Sequence, residues 1–178
     1  MDSAELFVLL NNYETQSLEH AVTLPEQVGE VDVWSGIGFR LREHHLVAEL
    51  GTVSEILTVP AFTKVPTARP WLLGVSNIRG NLVSMVDLRH YFYGERTHLG
   101  KRCRVLVIRQ EGGMTGLLVD EVFGLRHFES ADASDSLSID DPTLTEFLTR
   151  EFVRDGQRWI AFDAVDLVES ADFLNAAA

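Results

Sequence analysis

From Trp34 onward the apolar residues recur at every second position in short runs, and glycine or aspartate separates many of the runs. That period places apolar side chains on one face of an extended chain, so the body of the protein must be built from β-strands. Gly38–Leu41 and Leu46–Leu50 flank Arg42–His45 as a hairpin, and Val53–Val59 adds another strand. Further strands are predicted over Leu82–Leu88, Arg104–Arg109 and Thr115–Val122, the last two joined through Glu111–Gly112–Gly113. Tyr91–Lys101 reads as an aromatic, charged connection, and Glu121–Gly124 as a reorientation before Leu125–Phe128. Asp155–Gly156 is a type I′ signal between Phe152–Val153 and Trp159–Phe162, which makes Glu151–Phe162 the clearest hairpin. No repeated strand–helix–strand unit supports a doubly wound sheet. Periodicity alone leaves a sandwich and a barrel equally open.

Helices are expected mainly at the two ends. Asp2 and Glu5 have capping-box spacing, and Leu6, Leu9, Leu10 and Tyr13 follow on one helical face, so a helix is predicted over Ser3–Tyr13. Pro25 and Gly29 break that pattern. The chain therefore divides into an acidic helical extension and linker over 1–33 and the domain proper over 34–178. At the other end, Asp163 and Asp166 cap a last helix with Leu167, Val168, Ala171 and Leu174 along one face. Between them, Glu129–Glu146 carries six carboxylates and no Lys or Arg, and reads as the least ordered internal stretch. Asp141–Pro142 is placed to start a short helix there.

Charge separates the chain into regions of opposite sign. The formal net charge is -12, which argues against a non-specific nucleic-acid binder. Seven carboxylates and no cation occupy residues 1–33, whereas residues 60–110 hold nine Lys or Arg against Asp87 and Glu95. Such asymmetry either aids solubility or presents a basic face to an acidic protein surface. Cys103 is the single cysteine, so no intrachain disulfide forms, and its apolar surroundings suit packing better than reactivity. No apolar run approaches a membrane span and no signal-like opening is present; a soluble, cytoplasmic protein with no direct membrane insertion is expected.

The residues for a nucleophile triad exist in the sequence, but there is no G-x-S-x-G and none of the six histidines stands in a catalytic motif. Gly36–Ile37–Gly38 lacks the lysine of a phosphate loop and leads into a strand. Val86–Asp87–Leu88 lacks the acidic partners and the parallel α/β layout of a receiver domain. His44 and His45 are adjacent, in a predicted turn that would leave both solvated, without further ligands at metal spacing. No enzyme, no cofactor and no metal site is expected.

The stretch from Val59 to Leu88 holds the recognition features. Pro60 and Pro66 bound an extended segment, Pro70–Gly74 is a short helical or turn-rich piece, and Ile78–Arg79–Gly80–Asn81 turns into the strand that follows. Thr63, Val65–Pro66, Trp71, Leu73–Gly74–Val75, Asn77, Arg79–Gly80 and Val86–Asp87–Leu88 resemble the signature of CheW-like domains, as do Val53, Glu55 and Ile56 upstream. The resemblance extends from about Gly36 to Leu167. It implies a mostly β fold of two five-stranded SH3-like barrels sharing a hydrophobic junction, here with an N-terminal helical extension and a C-terminal helix. It also implies an adaptor without activity or cofactor. Its partners would be the regulatory domain of a CheA-type histidine kinase and the signalling tip of a methyl-accepting chemoreceptor, in arrays at the membrane. Length, the acidic extension and the local sequence are similar to the members serving type IV pilus twitching motility; a flagellar adaptor, or a scaffold outside chemosensing, is the alternative. Ser84–Met85 departs from the family, which usually has a proline or apolar residue before the valine–aspartate step.

The candidate protein-binding residues are Val53, Glu55, Ile56, Trp71, Asn77, Arg79, Gly80, Phe123 and Leu125; the resemblance implies a place for Arg79 on the coupling surface and for Glu55 near a receptor-facing groove. Read as residues alone, they leave choices open. Arg79 is either a solvated charge, an internal partner of Asp87 or another carboxylate, or a coupling contact. Glu55 reads as the exposed member of an alternating strand. Trp71 is either core or an interface anchor, and Phe123 and Leu125 around Gly124 raise the same question. Gly80 is expected to need a positive φ beside the bulky Arg79, and Asn77 to shape the turn through an Asx-type bond.

Overall fold

A computed structural model describes residues 33–134 and 136–175. The predicted helix over Ser3–Tyr13 and its linker lie outside the described residues, apart from Val33. Among the described residues eleven strands form two sheets. The first has the order β8 (Glu121–Glu129), β1 (Val33–Leu41), β2 (His44–Glu49), β11 (Gln157–Phe162), β10 (Leu148–Arg154) and β9 (Ala133–Ser134). The second runs β3 (Val53–Leu57), β6 (Arg104–Gln110), β7 (Gly113–Val119), β5 (Asn81–Asp87) and β4 (Leu72–Ile78). Each is mixed, because β11 pairs with β2 and β5 pairs with β7 in parallel while the other pairs are antiparallel.

Neither sheet closes, which corrects the expectation of two five-stranded barrels. A barrel requires its first and last strands to share a ladder. The first sheet instead ends at the two-residue strand β9 on one side and at β8 on the other. Side chains span part of that interval: Arg154 Nη1 on β10 donates to the His127 carbonyl of β8 at 2.7 Å and pairs with Asp132 at 3.2 Å. In the second sheet the outer side of β4 is taken by its own connection. Thr63 and Val75 exchange both backbone hydrogen bonds at 2.8 Å, and Ser76 Oγ donates to the Ala61 carbonyl at 2.8 Å. A Cβ on Gly74 would overlap the Thr63 carbonyl, so this close approach requires glycine.

The expected hydrophobic junction is present. Ile37, Phe39, Leu46 and Ile160 from the first sheet pack with Val86, Leu106, Ile108 and Leu117 from the second. Each sheet has its own core besides. Val83, Met85, Val105, Val107 and Leu118 share one with Cys103, which is buried as its surroundings suggested. Val47, Phe128, Phe152 and Trp159 form the other, with the Phe128 and Phe152 rings stacked at 4.4 Å. Alternate residues of β6 thus enter different cores, and the strand is buried on both faces.

Three local expectations fail for identifiable reasons. Tyr91–Lys101 opens inside a helix, α1 (Leu88–Tyr93), capped by the Asp87 carboxylate on the His90 N–H at 3.2 Å and ended by Gly94 in the left-handed region. Strand β8 is continuous rather than broken at Gly124; a bulge opposite Gly38 and Phe39 absorbs the turn, with Gly124 at φ 80°. The C-terminal helix breaks at Ser170 into α2 (Ala164–Glu169) and α3 (Ala171–Leu174), so Phe173 is buried and Leu174 is exposed. Asp163 does cap α2, accepting from the Val165 and Asp166 N–H groups at 3.1 and 2.9 Å.

The acidic stretch after Glu129 is tied down. Asp141 accepts from the Tyr93 hydroxyl at 2.7 Å and the Thr143 N–H at 3.0 Å, and lies 3.1 Å from His44 Nε2. Burial alone would raise the Asp141 pKa, but the hydrogen bonds from Tyr93, Thr143 and His44 hold it below the ordinary carboxylate value. Burial, reinforced by the bond to Asp141, pushes the Tyr93 hydroxyl far up, so it remains a donor. Buried Glu151 accepts from the Ser138 N–H and hydroxyl, both at 2.8 Å.

Candidate interaction site

The two-residue link between β4 and β5 presents the first group of candidates. Ile78 pairs with Asn81, and the residues between them, Arg79 and Gly80, have φ of 50° and 88°. Positive φ at both central positions is the type I′ pattern that matches strand twist. Asn77 Oδ1 accepts from the Gly80 N–H at 2.9 Å, the expected Asx-type bond. The link therefore holds Arg79 at the tip of a rigid hairpin rather than on a floppy loop.

Arg79 reaches across to β3. Its Nη2 lies 2.7 Å from Glu55 Oε1, with 80% of the Arg79 side chain exposed against 23% for Glu55. The choice left open at the sequence level resolves here: the carboxylate partner is Glu55, not Asp87. Asp87 is buried and accepts instead from the Thr97 N–H, the Thr97 hydroxyl and the His90 N–H. An ion pair this exposed contributes about 0–1 kcal/mol to folding. Its main effect is to orient a solvent-facing guanidinium.

Glu55 is not the outward member of an alternating strand. A bulge between Val53 and Glu55 shifts the register against β6, and the Ser54 hydroxyl donates to the Val107 carbonyl at 2.9 Å. Val53, Glu55 and Leu57 are half-buried while Ile56 is exposed. Ile56 on β3 and Leu82 on β5, just past the Arg79–Gly80 turn, are large exposed apolar side chains. An oriented charge, a half-buried carboxylate and exposed aliphatic groups suit recognition by a protein surface.

The other candidates sit elsewhere. Trp71 belongs to the rim of the junction core, its ring stacked on Phe173 at 5.4 Å and edge-on to Tyr91 at 5.2 Å. Phe123 and Leu125 lie on β8 of the first sheet, not beside Arg79. Phe123 stacks on His45 at 5.1 Å and meets Trp159 edge-on at 5.5 Å, whereas Leu125 is exposed.

His44 and His45 are not the solvated turn pair expected; both lie on β2 and are half-buried. Burial, aided by Arg40 and opposed by Glu121, lowers the His45 pKa below 6.5. The unfolded chain therefore takes up a proton at this residue before the folded one does. The His45 contribution to stability should be present above about pH 6.5 and be lost as pH falls through the lower folded value. Urea unfolding of His45→Gln should show a shallower loss of stability over that window than the parent, which would identify His45 as its source.

Among the described residues no group of three or more His, Cys, Asp or Glu side chains is arranged to hold a metal ion. No helix among them is long and apolar enough to cross a membrane. The CheW-like domain model matches residues 35–172. The chain belongs to that family. Protein PilI of Pseudomonas aeruginosa is 37% identical over 171 residues, covering 96% of each chain. Chemotaxis protein CheW of Helicobacter pylori is 28% identical over 97 residues, which is 54% of this chain and 59% of that protein. The crystal structure of the scaffolding protein TtCheW from Thermoanaerobacter tengcongensis superposes with a TM-score of 0.65 at 22% identity. It covers 78% of this chain and 94% of that one, and supports the two-sheet arrangement. CheW-like domains are non-catalytic adaptors that partner chemoreceptors and histidine kinases, and this chain is a chemosensory adaptor of that kind.

Proposed function

We propose that this adaptor serves a type IV pilus chemosensory system, coupling the signalling tip of a methyl-accepting receptor to the regulatory domain of a CheA-type kinase. The observation that carries this reading is the extent of the likeness to PilI, over 96% of both chains, where the CheW of Helicobacter pylori aligns with 54% of this one. A likeness of that extent includes most of the acidic extension before the conserved-fold region at residue 35. In this reading residues 1–33 are an acidic extension and residues 34–178 the coupling domain.

Arg79, held by Glu55 and framed by Val53, Ile56, Asn77 and Gly80, is one contact surface in this reading. Leu125 is the exposed residue of a second on β8, where Phe123 fixes the strand from beneath. Trp71 supports the first surface through the junction core. The receptor keeps the adaptor at the cytoplasmic face of the membrane, and the signal passes as a change in contact geometry.

Deletion of the gene in its own host should abolish twitching across a surface and leave flagellar swimming towards attractants intact. Normal twitching with lost swimming chemotaxis would overturn the assignment in favour of the flagellar pathway.

A further inference from the structure

A cavity of about 270 Å³ opens beside β4, between the segment that follows Val59 and the one that follows α1. Lys64, Arg69 and Arg96 stand on its rim, and all three are exposed. Among the described residues none of them forms an ion pair with a carboxylate. Apolar side chains lie between them: Val65 and Leu99 are exposed at the mouth, and Leu73 and Leu118 lie deeper. Asp87 also lines the cavity, but it is 1% exposed and its oxygens are occupied by Thr97 and His90.

The rim is held in place from both sides. Thr63, next to Lys64, is paired with Val75, and the Arg69 carbonyl accepts from the Leu72 N–H at 3.0 Å. Thr97, next to Arg96, is fixed by both oxygens of Asp87. The backbone that carries the three cations is therefore fixed around an aliphatic floor, and ordering their long side chains is the cost that remains on binding.

We propose that this cavity takes an acidic–apolar segment of a protein partner, seating an aliphatic side chain on the floor with carboxylates against the rim. Charge complementarity selects the occupant. Three cations match two or three carboxylates, whereas the whole chain carries -12 and would repel an extended polyanion such as nucleic acid or an anionic membrane. The volume is below the roughly 300–1,000 Å³ of small-molecule sites and suits one or two side chains. None of these residues belongs to the Arg79–Glu55 site, so the proposal stands apart from the receptor contact assigned above.

The test titrates the isotopically labelled full chain with a short peptide alternating glutamate and leucine, followed by NMR. Val65, Thr97 and Leu99 should shift, and the affinity should fall about tenfold between roughly 0.05 and 0.5 M salt. Lys64→Glu, Arg69→Glu and Arg96→Glu together should abolish the shifts with the melting curve unchanged. The corresponding triple glutamine variant, which keeps side-chain bulk, should weaken binding at least about tenfold. A glutamine–leucine peptide should not bind. Absence of shifts with the acidic peptide would overturn the proposal, as would equal binding of the glutamine–leucine peptide. So would the same shifts with inorganic phosphate alone, co-sedimentation with phosphatidylserine vesicles lost in the variant, or self-association of the chain through these residues.

Discussion

Replacing Asp87 by alanine should lower stability by about 3 kcal/mol, the largest loss expected from a single polar side chain here. Asp87 is 1% exposed and accepts from the Thr97 hydroxyl at 2.7 Å, the Thr97 N–H at 2.9 Å and the His90 N–H at 3.2 Å. Alanine would strand the buried Thr97 N–H, at about 1–3 kcal/mol, and remove the cap of α1, at about 1 kcal/mol. For a chain of this size that is a fall in melting temperature of roughly 6–12 °C. Asp87→Asn should be intermediate, because an amide oxygen at the Oδ1 position keeps the His90 cap and the Thr97 hydroxyl, while the amide nitrogen at the Oδ2 position faces the Thr97 N–H. An alanine variant melting within about 1 °C of the parent would show that water replaces the carboxylate freely, contrary to its burial.

How far the sequence discloses this fold depends on whether a signal is local. Asp155–Gly156 turns with φ of 53° and 73°, and Arg79–Gly80 with 50° and 88°, because a two-residue link fixes its own geometry. Helix α1 was also locally encoded, with Asp87 and Gly94 at its ends, yet it is masked because β5 runs into it as one apolar stretch ending at Leu88. Sheet closure is not local at all. Whether β8 meets β9 or β3 meets β4 is decided by pairings across most of the chain, and alternation is the same in an open or a closed sheet. The phase of β3, with Glu55 half-buried and Ile56 exposed, is set by its pairing with β6 more than fifty residues later. Trp71 depends on Phe173 near the other end. Of the interaction site, the hairpin tip and its residues were therefore legible, while the Arg79–Glu55 pairing required the assembled sheet.

That pairing separates two accounts of Arg79, orientation of its neighbour or direct contact with a partner. Arg79→Ala should change stability by less than about 1 kcal/mol, since 80% of its side chain is exposed. In reconstituted arrays of receptor, kinase and adaptor it should nevertheless abolish receptor control of kinase autophosphorylation. A charge pair desolvated in a complex costs about 2–5 kcal/mol when one partner is removed, against little for a pair at the rim. That corresponds to a loss of roughly thirtyfold or more in affinity. Glu55→Ala should weaken coupling less, because the guanidinium remains while its orientation is lost. The double exchange Arg79→Glu with Glu55→Arg decides between the accounts. It restores an ion pair at this site but moves the positive charge from the tip to β3. If the pair only braces β3 against the hairpin, the exchange should recover most of the receptor control lost in either single exchange variant. If the Arg79 charge itself meets the partner, coupling should stay lost while the melt is normal, and this second outcome is the one expected. Full receptor control in Arg79→Ala would remove the residue from the coupling surface altogether, leaving Ile56 and Leu82 as its main exposed groups.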